Sequence, residues 1–194
     1  MSPDARRRQL IQAALATFAA RGIGETNHTA LALEAGVAVP TVFHYFSTKD
    51  DVIDAVLKEV SRFLLDDLLA ENDQPDVAAP TAVEQVLMSF CDAIDTHGHY
   101  IRVWLEWSVS IRDGLWPSYL EFYSSARSGI RKILERGIAE SSIRYDIEID
   151  DAARVIVALA HMIVQMKFSG SSREQIVQTV HTLLGSYLQS PKEG

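Results

Sequence analysis

The chain has 194 residues, 47% of them hydrophobic, which supplies enough apolar side chain for a buried core and excludes a disordered chain. Its single cysteine, Cys91, excludes an intramolecular disulfide; with no signal-peptide pattern and no apolar run near about eighteen residues, we expect a cytoplasmic protein with no membrane partner. The formal charge of −8 would exclude a uniformly basic surface, yet residues 1–60 hold six Lys/Arg against seven Asp/Glu and residues 61–194 twelve against nineteen, so a local nucleic-acid-binding face is still possible near the amino terminus.

Apolar residues recur at helical spacing almost everywhere, and the fold class expected is all-α with about nine helices. The first helix carries Leu10, Ala13, Ala14, Thr17 and Phe18 on one face and stops at Gly22 and Gly24. Thr29 suits an N-cap for a short second helix that ends near Gly36, and Pro40 fits the first turn of a third over about 40–46. Ser47 or Thr48 then caps a long fourth helix with Asp50 and Asp51 at its positive end and Val52, Val56, Val60, Phe63, Leu64 and Leu68 inward. Asn72 to Pro80 reads as a loop.

Val83, Val86, Leu87, Phe90 and Ile94 mark the fifth helix, and Gly98 separates it from a sixth with Tyr100, Trp104 and Trp107. Pro117 restarts the chain into a seventh helix over about 117–138, with Phe122, Ala126, Ile130, Ile133 and Leu134 inward. The eighth, about 150–168, turns Val155, Ile156, Leu159, Met162, Ile163 and Met166 inward and ends at Gly170. The ninth, near 172–188, does the same with Ile176, Val180, Leu183, Leu184 and Tyr187. With Ala153, Val157, Val177 and Leu184 added, the last two helices carry more apolar surface than one bundle side needs, so a four-helix homodimer interface is expected there.

Two short helices joined at a glycine are the pattern of a helix-turn-helix, although αα-corners share that spacing. The residues narrow the choice: TALALEAGVAVPTVFHYFSTKDDV, Thr29 to Val52, resembles the TetR-family signature, including the aromatic pair Tyr45 and Phe46 and the lysine Lys49 before the fourth helix. The resemblance implies a DNA-binding domain over 1–49 and a ligand-binding and dimerisation domain over 50–194. Val37, Val42 and Phe46 would pack the recognition helix inward. Thr41, His44 and Tyr45 would face the major groove beside Pro40, with His44 the candidate for a base edge. Thr29, Thr41, Tyr45 and Lys49 suit phosphate oxygens. Arg6, Arg7 and Arg8 precede the first helix and either enter the minor groove or pair with phosphates, or simply form its solvated start. Further along, HYIRVWLEWSVSIRDGLWP, His99 to Pro117, resembles the LuxR/HapR/SmcR subgroup of quorum-sensing master regulators. That subgroup carries a longer basic extension ahead of the first helix and usually asparagine at the place of His44.

The resemblance further implies a pseudo-palindromic double-stranded operator and a small hydrophobic effector in a cavity lined by Leu64, Leu68, Phe90, Ile94, Trp104, Trp107, Phe122, His161 and Gln165. A plain core would show the same aromatic stripe. His161 among apolar neighbours needs a hydrogen-bond partner, such as a carbonyl or Gln165, unless it meets the effector. No cofactor motif, catalytic set or metal spacing is present: His97 and His99 lack companion ligands, Cys91 lacks an activating context, and Glu106 and Asp113 suit Arg102, Arg112 or backbone amides better than catalysis. The alternative of another class is an all-α small-molecule-binding protein or enzyme without specific DNA binding.

Overall fold

The computed structural model describes residues 2–111 and 114–189. Among these there are helices and no strands: α1 Pro3–Arg21, α2 His28–Ala35, α3 Val39–Tyr45, α4 Lys49–Arg62, α5 Ala79–Thr96, α6 Gly98–Val109, α7 Trp116–Ala139, α8 Ile149–Phe168 and α9 Arg173–Leu188. The chain divides into two compact units, one of Met1–Phe63 with His97–Pro117 and one of Leu64–Thr96 with Ser118–Gly194. The boundary expected after residue 49 does not coincide with that division, because α6 packs on α1 and α4.

Local chemistry sets the helix ends. Ser2 caps α1, its hydroxyl accepting from the Ala5 amide, with Pro3 and Asp4 in the first turn. Arg6, Arg7 and Arg8 therefore lie within α1 instead of ahead of it, a correction to the sequence reading. Asn27, not Thr29, caps α2 by accepting from the Ala30 amide at 2.9 Å. Thr48 and Asp51 close a reciprocal capping box at the start of α4. Beyond Arg62 the backbone loosens into a π-helical segment, Phe63–Leu69, followed by a 3-10 turn, Ala70–Asn72. The sequence stripe assumed an unbroken α-helix. The wider π turn shifts its phase and leaves Leu68 only half-buried, whereas Phe63 and Leu64 are buried.

The first unit's core joins Leu10, Leu15 and Phe18 of α1 to Leu31, Val42, Val56, Ile101 and Trp107, and α1 is the post against which α2, α4 and α6 pack. Within the second unit α5 packs on α8 and α9, and Val83, Leu87, Ile156, Ile163, Ile176 and Val180 interlock. Ion pairs clamp these helices: Lys167 to Asp95 at 2.7 Å and Arg173 to Asp92 at 2.7 Å. Gly137 of α7 lets the chain close tightly, since a Cβ there would sit 2.6 Å from both Ala79 and Ile143. The inward stripes expected for the last two helices need correction: Val155 and Leu183 are exposed, and Leu159, Met162, Met166 and Tyr187 are half-buried. Ala153, expected as surplus surface, is core, and so is Leu184, which the sequence reading places both in the inward stripe and in that surplus. None of the described helices is long and apolar enough to cross a membrane.

Candidate nucleic-acid interface

The turn between α2 and α3 hinges on Gly36, whose φ of 64° lies in the left-handed region that a Cβ disfavours. It lets the Val37 amide bond back to the Ala32 carbonyl at 3.0 Å and the Gly36 amide to Leu33 at 3.2 Å, satisfying the end of α2. Pro40 sits in the first turn of α3, where its missing N–H leaves no gap. Val42 and Phe46 are buried, one helical turn apart, and fix α3 to the platform. The opposite side is left to solvent: Pro40 and His44 are exposed, and Thr41 and Tyr45 are half-buried at its edges. His44 and Tyr45 meet edge to face at 5.1 Å. The sequence-expected reading residues thus come together on one short helix.

Around that helix the expected phosphate-binding groups divide. Thr29 is exposed in the first turn of α2, where amides have no intrahelical partner. Lys49 is exposed and donates one of its ammonium hydrogens to the Gly24 carbonyl, tying the start of α4 to the turn after α1. Arg6 donates to Gln9 Oε1 at 2.7 Å, and Gln9 in turn donates to the Ala35 carbonyl at 3.0 Å, bracing α1 on the end of α2. The guanidinium of Arg7 lies over the buried Phe46 ring at 5.3 Å. Arg8 is exposed.

Two residues that the sequence reading passed over belong to this face. Phe43 is 50% exposed on α3, and its ring lies flat on that of His28, centroids 4.1 Å apart and planes 7° from parallel. His28 Nε2 is 2.8 Å from the Phe46 carbonyl oxygen, so this nitrogen carries the hydrogen and donates it. A signal was available for Phe43: with 42 and 46 inward, an aromatic ring at 43 has to point away from the core. His28 gave none, because its partners are reached only through the fold.

A second set of polar ties holds the platform. Glu106 of α6 accepts a hydrogen bond from the Ile23 amide at 2.9 Å, the backbone-amide role its sequence context suggested. Gln12 donates to the Tyr100 hydroxyl at 2.9 Å, and Tyr100 donates to Glu59 at 3.1 Å, linking α1, α6 and α4. Burial pushes the Tyr100 phenol up, so it stays protonated and able to donate. Arg112 and Asp113 lie outside the described residues.

The residues expected to line an effector cavity fall into both units. Trp104 and Trp107 are buried in the first, where the Trp107 indole donates to the Leu115 carbonyl at 3.2 Å. Leu64, Leu68, Phe90, Ile94, Phe122, His161 and Gln165 belong to the second. There His161 is half-buried, its pKa pushed down by burial, and Gln165 is exposed. Cys91 is buried, which pushes its thiol up and keeps it protonated. Among the described residues no group of three or more His, Cys, Asp or Glu side chains could hold a metal ion.

Comparison with known proteins fits this geometry. Residues 10–56 match the family model for "Bacterial regulatory proteins, tetR family". The chain is 29% identical to the HTH-type transcriptional regulator LuxR of Vibrio harveyi over 188 residues, covering 97% of this chain and 89% of that one. It is 27% identical to the HTH-type transcriptional repressor KstR2 of Mycolicibacterium smegmatis, covering 97% and 93%. Among solved structures, Salmonella enterica GusR superposes with a TM-score of 0.82 at 17% identity over 98% of each chain, a likeness of fold.

Proposed function

The chain is a TetR-family transcriptional regulator, and from that premise we propose that it acts in the cytoplasm as a homodimer that reads a pseudo-palindromic operator with two copies of α3. The observation that carries this reading is the exposed side of α3, with Pro40, Thr41, His44 and Tyr45 standing on a helix whose other side is locked by Val42 and Phe46. A helix this short reads only a few base pairs, so two copies on half-sites about 34–36 Å apart, or a multiple, supply the needed specificity. His44 meets a base edge, and Thr29, Thr41, Tyr45, Lys49 and the arginines of α1 meet phosphates.

Support for the dimer comes from α8 and α9. Val155 is 44% exposed and Leu183 42%, and with Leu159 and Tyr187 they border an apolar groove of about 290 Å³. A second copy of the same two helices would cover it as a four-helix interface.

In this reading the second unit takes a small, mostly apolar effector among Leu64, Leu68, Phe90, Ile94 and Phe122, with His161 and Gln165 as its polar contacts. Trp104 and Trp107 serve the core of the first unit. The effector acts by binding one setting of the protein better than another, and a coupling of about 1–3 kcal/mol per site makes full response depend on both subunits being filled. The length of the likeness to the Vibrio harveyi regulator supports a place beside the quorum-sensing regulators that residues 99–117 resemble.

Selection of bound duplexes from a random DNA pool tests the proposal. The expected result is a two-fold symmetric consensus bound by the wild type and lost in the Thr41→Ala, His44→Ala, Tyr45→Ala triple variant, whose melting stays cooperative. Failure to enrich any sequence would leave an all-α small-molecule-binding protein as the better reading.

A further inference from the structure

The feature of the reading face that phosphate and base-edge hydrogen bonding do not use is the Phe43 ring. Pro40, Phe43 and His44 stand at i, i+3 and i+4, so they form one contiguous exposed patch on α3. Half of Phe43 is open to water although its neighbour Val42 is fully buried. An apolar ring kept in water is unfavourable unless a partner covers it. It is also held still: the parallel imidazole of His28 lies 4.1 Å away, and the imidazole is pinned by its bond to the Phe46 carbonyl. A ring already fixed in place loses little freedom when its partner arrives.

The floor of the major groove is polar at every base pair except for one group, the 5-methyl of thymine. We propose that Phe43 is a specificity-determining residue that packs on a thymine methyl in each half-site, and that His28 is its positioning residue. The inference rests on the operator-binding reading above and deepens it. His44, reaching a hydrogen-bonding edge one residue further round α3, and Phe43, reaching a methyl, would then read neighbouring base pairs by different chemistry.

The test uses the full chain and the duplex it selects from the random pool. Each consensus thymine is replaced, in symmetric pairs, by uracil, which removes only the methyl, and binding is followed by fluorescence anisotropy. At one thymine pair the wild type should lose about fourfold in affinity per half-site, the worth of one buried methyl group. In Phe43→Ala the thymine and uracil duplexes should bind alike. In Phe43→Leu, which keeps an apolar side chain, part of the difference should return. His28→Ala should shrink the thymine-to-uracil ratio, a readout that a general loss of stability would leave unchanged. A uracil scan without effect on the wild type, a consensus lacking thymine, or a ratio that persists in Phe43→Ala would overturn the inference while leaving DNA binding intact. Enrichment of no duplex would instead bring down the operator reading, and this inference with it.

Discussion

Replacing Glu106 by alanine isolates the contact that holds the end of α1 to α6. Ile23 is only 2% exposed, and its amide donates to Glu106 Oε1 at 2.9 Å. The turn leaves that amide without a helical partner, because Gly22 already ends α1 with a φ of 93° and bonds to the Phe18 carbonyl. Alanine at 106 leaves a buried N–H unsatisfied, which costs about 1–3 kcal/mol. In a chain of this size that lowers the melting midpoint by about 2–4 °C per kcal/mol. Glutamine at 106 keeps an oxygen to accept the bond and loses only the charge, which is worth roughly half of such a bond. Urea melts of Glu106→Ala and Glu106→Gln beside the wild type should therefore show a large and a small loss. Equal losses would mean that the carboxylate acts through its charge alone. A loss in Glu106→Ala below about 0.5 kcal/mol, the range of an ordinary surface change, would refute the account of the turn.

Three further outcomes are expected. With Arg6, Arg7, Arg8 and Lys49 as the cations proposed for phosphate contact on each copy, the plot of log affinity against log salt should be no steeper than about −7 for the proposed dimer, and a steeper one would reveal contacts missing from this face. Leu183→Glu puts a charge into the exposed apolar strip of α8 and α9, and sedimentation should show a monomer that keeps its helicity; an unchanged dimer would place the interface elsewhere. His161 is held below its ordinary value of 6.5 by burial, so above that value both the folded and unfolded states are neutral there. As pH falls through 6.5 toward the folded value, the unfolded chain takes up the proton more readily and stability is lost. His161→Phe should flatten that acid-side decline in urea melts between about pH 7.5 and pH 5, and an unaltered slope would exclude His161 as its source.

Helices whose sequence repeats cleanly were legible, and those with a broad apolar surface were not. Val83, Val86, Leu87, Phe90 and Ile94 fixed α5, and Phe122, Ala126, Ile130, Ile133 and Leu134 fixed α7, because each set falls on one side and is buried there. In α8 apolar residues surround most of the helix and in α9 they form one broad stripe, so spacing could not tell where the core side ends and the surface side begins. Val155 and Leu183 went to the wrong one. The π segment escaped notice for a related reason: FLLDDLL satisfies an α-helical stripe as written, and only the backbone reveals the wider turn. The recognition helix was placed to within a residue by Gly36 and Pro40, whose backbone demands are local. The start of α1 was misplaced because the cap at Ser2 lies upstream of the apolar repeat used to find the helix. The stacking of His28 on Phe43, fifteen positions away in sequence, depends on the turn between α2 and α3 and has no trace in either residue's local pattern.

The membership of α6 in the unit that carries the proposed reading helix changes what a regulatory signal, in the reading proposed above, must do. A three-helix module standing alone would be free to rotate about the start of α4. Here α6 is bonded to α1 through Gln12 and Tyr100, to the turn after α1 through the Ile23 amide and Glu106, and to α4 through Tyr100 and Glu59. Ile101, Val103, Trp104 and Trp107 bury one side of α6 in the same unit's core. Cores packed this way shift as blocks between discrete settings and do not deform smoothly. A displacement applied to α6 is thus delivered to α1 and α4 together, and α3 follows because α1 braces the end of α2 through Gln9 and Ala35. α3 then moves with a five-helix block, and the polar ties at Tyr100 and Glu106 are the places where substitution should uncouple α6 from α3 without touching a residue proposed to meet DNA.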